Sequence, residues 1–93
     1  MINSFGDKET EKIFRGIKSK KLPPEIQRIA FRKLRVIQAV EKLVDLRSPP
    51  SNHLEKLKGD LQDYHSIRIN RQWRIIFIWK DDAAHSVRIV DYH

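Results

Sequence analysis

The residues best suited to chemistry lie at the carboxyl end, where the chain reads Asp91-Tyr92-His93. Cleaving RNA needs a base for the 2′-hydroxyl proton, an acid for the leaving 5′-oxygen, and cations for the charged phosphorane. Histidine titrates near neutrality and can serve as acid or base. Asp91 can orient or charge that imidazole, and Tyr92 offers a phenol and a ring face for an unstacked base. Arg74 is permanently charged and can grip a phosphate through two hydrogen bonds. Lys56, Lys58, Arg68, Arg71 and Arg88 crowd the same half of the sequence. Each residue also has a plainer use: His93 as a frayed end, Tyr92 as rim packing, Arg68 and Arg74 as solvated strand positions. An extended last strand would put Asp91 and His93 on one face and Tyr92 on the other. Residue types alone leave catalysis and packing both open.

Several chemistries drop out. His53, His65, His85 and His93 are too scattered for a metal motif, and cysteine is absent, so no metal or cofactor is expected. Glycine occurs only at positions 6, 16 and 59, which excludes a Gly-rich phosphate loop. Lys and Arg number 19 against 12 acids, for a net charge of +7 on 93 residues. Such a surplus favours a nucleic acid, the ribosome or an acidic protein as partner, although solubility alone would also account for it. The longest apolar run, Ile75–Trp79, is far too short to span a membrane, and the opening residues lack signal-peptide character. A cytoplasmic protein is expected.

Local patterns suggest how these residues are positioned. Asp7 can cap a first helix, with Glu9 and Glu11 in its first turns and Lys18, Lys20 and Lys21 at its end, complementing the dipole. Ile13, Phe14 and Ile17 would be its buried stripe. Pro24 suits the first turn of a second helix, whose apolar stripe runs from Ile26 through Ile29, Ala30, Leu34, Ile37, Val40 and Leu43 to Val44. Asp45–Asn52 reads as loop and Leu54–Lys58 as a short amphipathic turn. The period then falls to two. Strands are expected over Tyr64–Ile69, Trp73–Lys80 and His85–Tyr92, joined at Asn70-Arg71-Gln72 and at Asp81–Ala84, with Ile2–Phe5 as a further edge. Apolar runs on both faces make Trp73–Lys80 the central strand. The expectation is one α+β domain over residues 1–93, with two N-terminal helices packed on one face of a small, mainly antiparallel sheet. Its other face would be partly open, a basic platform for RNA.

At this level of detail the chain resembles a family. Leu57-Lys58-Gly59-Asp60, Ser66–Asn70, Gln72-Trp73-Arg74-Ile75 and the terminal Asp91-Tyr92-His93 are similar to the HigB, or plasmid-maintenance killer, branch of the RelE/ParE toxins. Asp45–Pro50 and Ile2-x-Ser4-Phe5 match that branch too. The resemblance spans essentially the whole chain and implies a RelE-like fold. It further implies a toxin that cuts mRNA on the ribosome without a metal, silenced by a helix-turn-helix antitoxin of the HigA type, with operator DNA bound only through the complex. It assigns phosphate binding to Lys58 and Arg74, and acid–base chemistry to Asp91, Tyr92 and His93. Lys56, Arg68, Arg71, Arg88 and His53 are the further RNA-binding candidates. Some relatives carry a histidine where this chain has Glu55, so the role of His53, two residues earlier, stays open. Two other classes compete: a ParE-like binder of DNA gyrase, which needs no terminal acid–base cluster, and a degenerate toxin kept as a binding module.

If His93 supplies the proton to the leaving oxygen, His93→Gln should lose most RNA cleavage, because an amide transfers no proton at neutral pH. Tyr92→Phe should keep part of it. Cleavage rates compared at matched melting temperature decide this, and full activity in His93→Gln would remove His93 from the chemistry.

Overall fold

A computed structural model describes residues 1–92. The first helix, α1 (Lys8–Phe14), begins where Asp7 Oδ1 accepts the Thr10 N–H at 2.7 Å. It is shorter than its sequence pattern suggested. Gly16 takes a left-handed φ of +79° and ends it, so Lys18, Lys20 and Lys21 lie in the following loop rather than in a last helical turn. Ile13 is buried but Ile17 is 53% exposed, which removes Ile17 from the core stripe. Ser19 fixes the loop, its hydroxyl donating to Glu9 at 2.6 Å and accepting the N–H groups of Lys21 and Leu22. The Ser19–Glu9 bond holds the Glu9 carboxyl below the usual carboxylate range.

Helix α2 (Pro24–Ala39) has proline in its first turn, where a missing N–H costs nothing. Ile26, Ala30, Leu34 and Ile37 form its buried stripe. The helix stops at Ala39 because Val40 is extended. The stripe expected to continue to Val44 is therefore broken: Leu43 packs on the core from a 3-10 turn (Leu43–Arg47), and Val44 is exposed. Arg35 joins the helices, donating to the Phe14 carbonyl at 2.9 Å with its guanidinium 4.3 Å from the Phe14 ring centre. Asn52, in a second 3-10 turn (Pro50–Asn52), is buried and donates to the carbonyls of Leu46 and Ser48, which orders the loop. Among the described residues no helix is long and apolar enough to cross a membrane.

The sheet is an antiparallel meander of four strands, β1 (Glu55–Lys56), β2 (His65–Arg68), β3 (Trp73–Lys80) and β4 (Ala83–Asp91), in that order. β1 was not expected. Leu54–Lys58 reads as an amphipathic turn, yet Glu55 and Lys56 pair with Ser66 and His65, and the Leu57 N–H donates to the Tyr64 carbonyl. β3 is central and buried on both faces, as its continuous apolar run requires. Asn70 Oδ1 accepts the N–H groups of Gln72 and Trp73 and so makes the β2–β3 turn. Asp81 and Asp82 both have positive φ, as a tight β3–β4 hairpin demands. Ser86, with φ +52°, stands at an irregularity in the β3–β4 register. Ile2 and Phe5 bridge to Ala84 and Val87 in parallel, so the amino-terminal segment covers the β4 edge.

Both helices pack on one side of this sheet. Ile13, Ile26, Ala30, Leu34 and Ile37 meet Ile67, Ile75, Phe77, Val87 and Ile89 in one core. Strand alternation turns Ser66, Arg68, Arg74, Ile76, Arg88, Val90 and Tyr92 to the side away from the helices. Thr10 is a hinge between the layers, its hydroxyl accepting the Ile89 N–H at 2.9 Å with both groups buried. Thr10→Val keeps the shape and orphans that N–H, which should cost about 1–3 kcal/mol. Urea unfolding should show a lower midpoint at unchanged slope, and an unaltered midpoint would refute the role.

Candidate active site

Arg74 is the best-anchored polar group on the open side. It extends from the central strand, only 9% exposed, and its Nη1 donates to Ser66 Oγ at 3.0 Å and to Glu55 Oε1 at 2.7 Å. The Arg74 Cζ stands 5.1 Å from the Tyr92 ring centre. Register explains the arrangement. Glu55, Ser66, Ile76 and Arg88 occupy one row across the four strands, and Arg68, Arg74 and Val90 the next. Arg74 therefore faces Arg68 directly, and Glu55 reaches in from the neighbouring row to offset two cations side by side.

Beside this cluster lies a cleft of about 310 Å³ lined by Glu55, Lys56, Leu57, Lys58, Leu61 and Tyr92. Lys58 is exposed and precedes Gly59, whose φ of +68° starts a 3-10 turn (Gly59–Leu61) that turns the chain back toward β2. Tyr92, 39% exposed, is kept beside Arg74 by a bond from its N–H to the Gln72 carbonyl. Four of the residues singled out from sequence, Lys56, Lys58, Arg74 and Tyr92, thus meet at one place.

Others stand apart. Asp91 pairs with Trp73 and its carboxylate accepts from Gln72 Nε2 at 3.0 Å, on the opposite side of the strand from Tyr92. Arg68 and Arg88 flank the cluster on the open face. Arg88 has its guanidinium 5.8 Å from the Tyr64 ring, and its stem lies against Gly6, where a Cβ would come within 2.3 Å of it. The Nε atoms of Arg68 and Arg88 are buried without a hydrogen-bond partner. Arg71 is exposed in the β2–β3 turn. His53 adopts a left-handed φ of +46° and does not line the cleft. His93 lies outside the described residues.

Sequence reasoning missed Glu55 as a member of the site. Its position opposite Ser66 became visible only with β1, and the single sequence signal was an acidic residue at a place where similar chains carry a histidine. The cleft holds groups that bind phosphate and move protons, a half-exposed carboxylate, two lysines and a phenol, with the forked Arg74 guanidinium beside Glu55 and Tyr92 at its edge.

The family model for the RelE-like toxin HigB of type II toxin–antitoxin systems matches residues 3–93. The chain belongs to this family of HigB-like toxins. It is 41% identical over 85 residues to Toxin HigB-1 of Vibrio cholerae, covering 90% of each chain. It is 32% identical over 94 residues to Endoribonuclease HigB of Proteus vulgaris, covering all of both. Solved structures share the fold. A YoeB–YefM toxin–antitoxin complex from Staphylococcus aureus superposes with a TM-score of 0.60 at 19% identity, over 100% of this chain and 98% of the other. YafQ from Escherichia coli superposes at 0.57 with 11% identity, over 98% and 93%. The expected RelE-like architecture of two helices on a sheet thus holds, with β1 added to it.

Arg74→Ala should abolish growth arrest while the variant still folds and binds its antitoxin. If Arg74 contacts the scissile phosphate, the loss should be on the order of 10²–10³ in rate, the scale for one donor removed from an oxyanion site. Unimpaired arrest by this variant at matched expression would take Arg74 out of the mechanism.

Proposed function

We propose that this HigB-like toxin is an endoribonuclease that cuts mRNA on the ribosome without a metal ion. The observation that carries this reading is the Arg74 guanidinium, held by Ser66 and Glu55 at the edge of a cleft lined by Lys58 and Tyr92. The name of the Proteus vulgaris relative supports an RNase activity. In the free protein Glu55 occupies Arg74. An incoming phosphodiester, with two acceptor oxygens, replaces the carboxylate on the guanidinium and leaves Glu55 beside the 2′-hydroxyl. Glu55 takes that proton, O2′ attacks phosphorus, and the P–O5′ bond breaks. His93 protonates the departing O5′, leaving a 2′,3′-cyclic phosphate and a 5′-hydroxyl. Lys58 and Arg74 stabilise the phosphorane. Tyr92 stacks on the base, Asp91 charges the terminal imidazole, and Lys56, Arg68, Arg71 and Arg88 hold flanking phosphates. His53 has no part in the proton transfers.

The protein acts in the cytoplasm. Its antitoxin is a HigA-like helix-turn-helix protein, and operator DNA is bound only by the complex. Ribosome dependence is supported by how little the cleft encloses: one nucleotide's worth of space gives few groups to select or hold free RNA.

The test is cleavage of one message, naked or on programmed ribosomes, with EDTA present. Cleavage is expected only on ribosomes. Glu55→Gln should bind RNA at least as tightly as wild type yet cut it about 10²–10⁴-fold more slowly. Rapid cutting of naked RNA, or a strict need for a divalent ion, would refute ribosome dependence or metal independence respectively. An unslowed Glu55→Gln would return the base to Asp91, Tyr92 or His93.

A further inference from the structure

The edge strand β1 has a cleft on each of its sides. Glu55 and Lys56 line the cleft with Lys58 and Tyr92, and the same two residues line a second one of about 410 Å³. The remaining walls of that second cleft are Leu43, Val44, Arg47, Leu54 and His65. Register accounts for the sharing. Glu55 stands opposite Ser66 and Lys56 opposite His65, so successive residues of a two-residue strand serve its two faces.

The contents of the second cleft are unusual for a surface depression. Val44 is 52% exposed, an apolar group left outside the core by the break after α2. Arg47 is exposed beside it. The His65 ring stacks on Phe77, with centres 6.3 Å apart and planes 21° apart, and its Nδ1 is buried with no hydrogen-bond partner. Burial and the nearby Lys56 ammonium push His65 below the usual histidine range, so the ring is neutral at neutral pH. With Nδ1 buried, the neutral ring can meet a base edge through its other nitrogen, which suits a base better than a phosphate. Arg47 and Lys56 supply the cations for the backbone.

We propose that this second cleft is a nucleotide subsite, receiving the base next to the scissile phosphate between Val44 and Leu54 with His65 at its edge. The proposal rests on the reading of the first cleft as the RNA-cleaving site, because the two are continuous over β1. The strand is then a saddle that RNA crosses, with the scissile phosphate on Arg74 and the neighbouring base on the far side. Base preference at that neighbour comes from His65, and affinity from Val44 and Arg47. None of these three touches the reacting atoms.

Two measurements test it. In the first, a short 2′-O-methyl oligoribonucleotide, which cannot be cut, is added to isotope-labelled full-length protein. Val44 and Leu54 methyl signals and the His65 ring signals should shift together with those of Lys58 and Tyr92. Shifts confined to the Lys58–Tyr92 cleft would overturn the proposal. In the second, ribosomal cleavage is measured on messages that vary one base at a time around the cut. Val44→Asp should raise KM by about tenfold at unchanged kcat, the scale on which an apolar pocket discriminates. His65→Phe should flatten the preference at one adjoining position while sparing the others. Wild-type KM and preference in both variants would overturn the proposal, as would loss of antitoxin binding in Val44→Asp with RNA parameters intact. If the wild-type protein cuts no RNA, the proposed function fails. The oligoribonucleotide shifts then still decide whether the second cleft binds a base.

Discussion

A guanidinium can be kept nearly buried on one side of a sheet only if something neutralises it there, and Glu55 does this for Arg74. The requirement is sharp because Arg68 faces Arg74 across the β2–β3 ladder, a like-charge pair that destabilises a sheet unless offset. The ion pair runs both ways. A strand of two residues is too short to hold an edge by its ladder bonds alone. Glu55 ties β1 across β2 to the central strand, while Leu57, 6% exposed, anchors its other end. The edge strand, the order of Arg74 and the position of the cleft are one linked arrangement. Anything that displaces Glu55 from Arg74 therefore loosens the edge strand.

That arrangement also sorts the charge. The helix layer and its loop carry Lys18, Lys20, Lys21 and Arg28 in solvent, whereas Arg68, Arg74 and Arg88 lie side by side with stems packed on the sheet. Only the second group is set in place by strand register. The whole +7 charge favours approach of a polyanion, whereas the three arginines concentrate cations on one face of the sheet.

The sequence made some of this legible and concealed the rest for physical reasons. β3 was readable because the run Ile75–Trp79 is apolar on both faces, and α2 began where Pro24 said it would. Its end was not readable. The apolar period runs on to Val44, but Val40 turns extended and Leu46 takes over core filling from a 3-10 turn, and hydrophobic spacing cannot report such an exchange. The end of α1 was hidden in the same way: Gly16 stops the helix early and Ile17 falls outside the core. β1 escaped because two residues carry no period at all. With it went Glu55, whose meaning depends on a partner 19 positions away at Arg74. Lys58, Arg74 and Tyr92 were legible as residue types with a resemblance to guide them, and their meeting place became visible only through the register.

The amino-terminal segment has a consequence for how the chain is made. Ile2 and Phe5 find their bridge partners on β4, and Thr10 finds the Ile89 N–H there, so the amino-terminal segment is completed by a strand made some 80 residues later. Contacts of such long range close late in folding. A nascent chain that has emerged only as far as β3 has its helix pair and central strand but no cover for one flank of that strand. Its unpaired strand edge is a template for pairing with another chain. A chain that stops short of β4 therefore lacks the partners of Ile2, Phe5 and Thr10 and the core side chains Ala84, Val87 and Ile89.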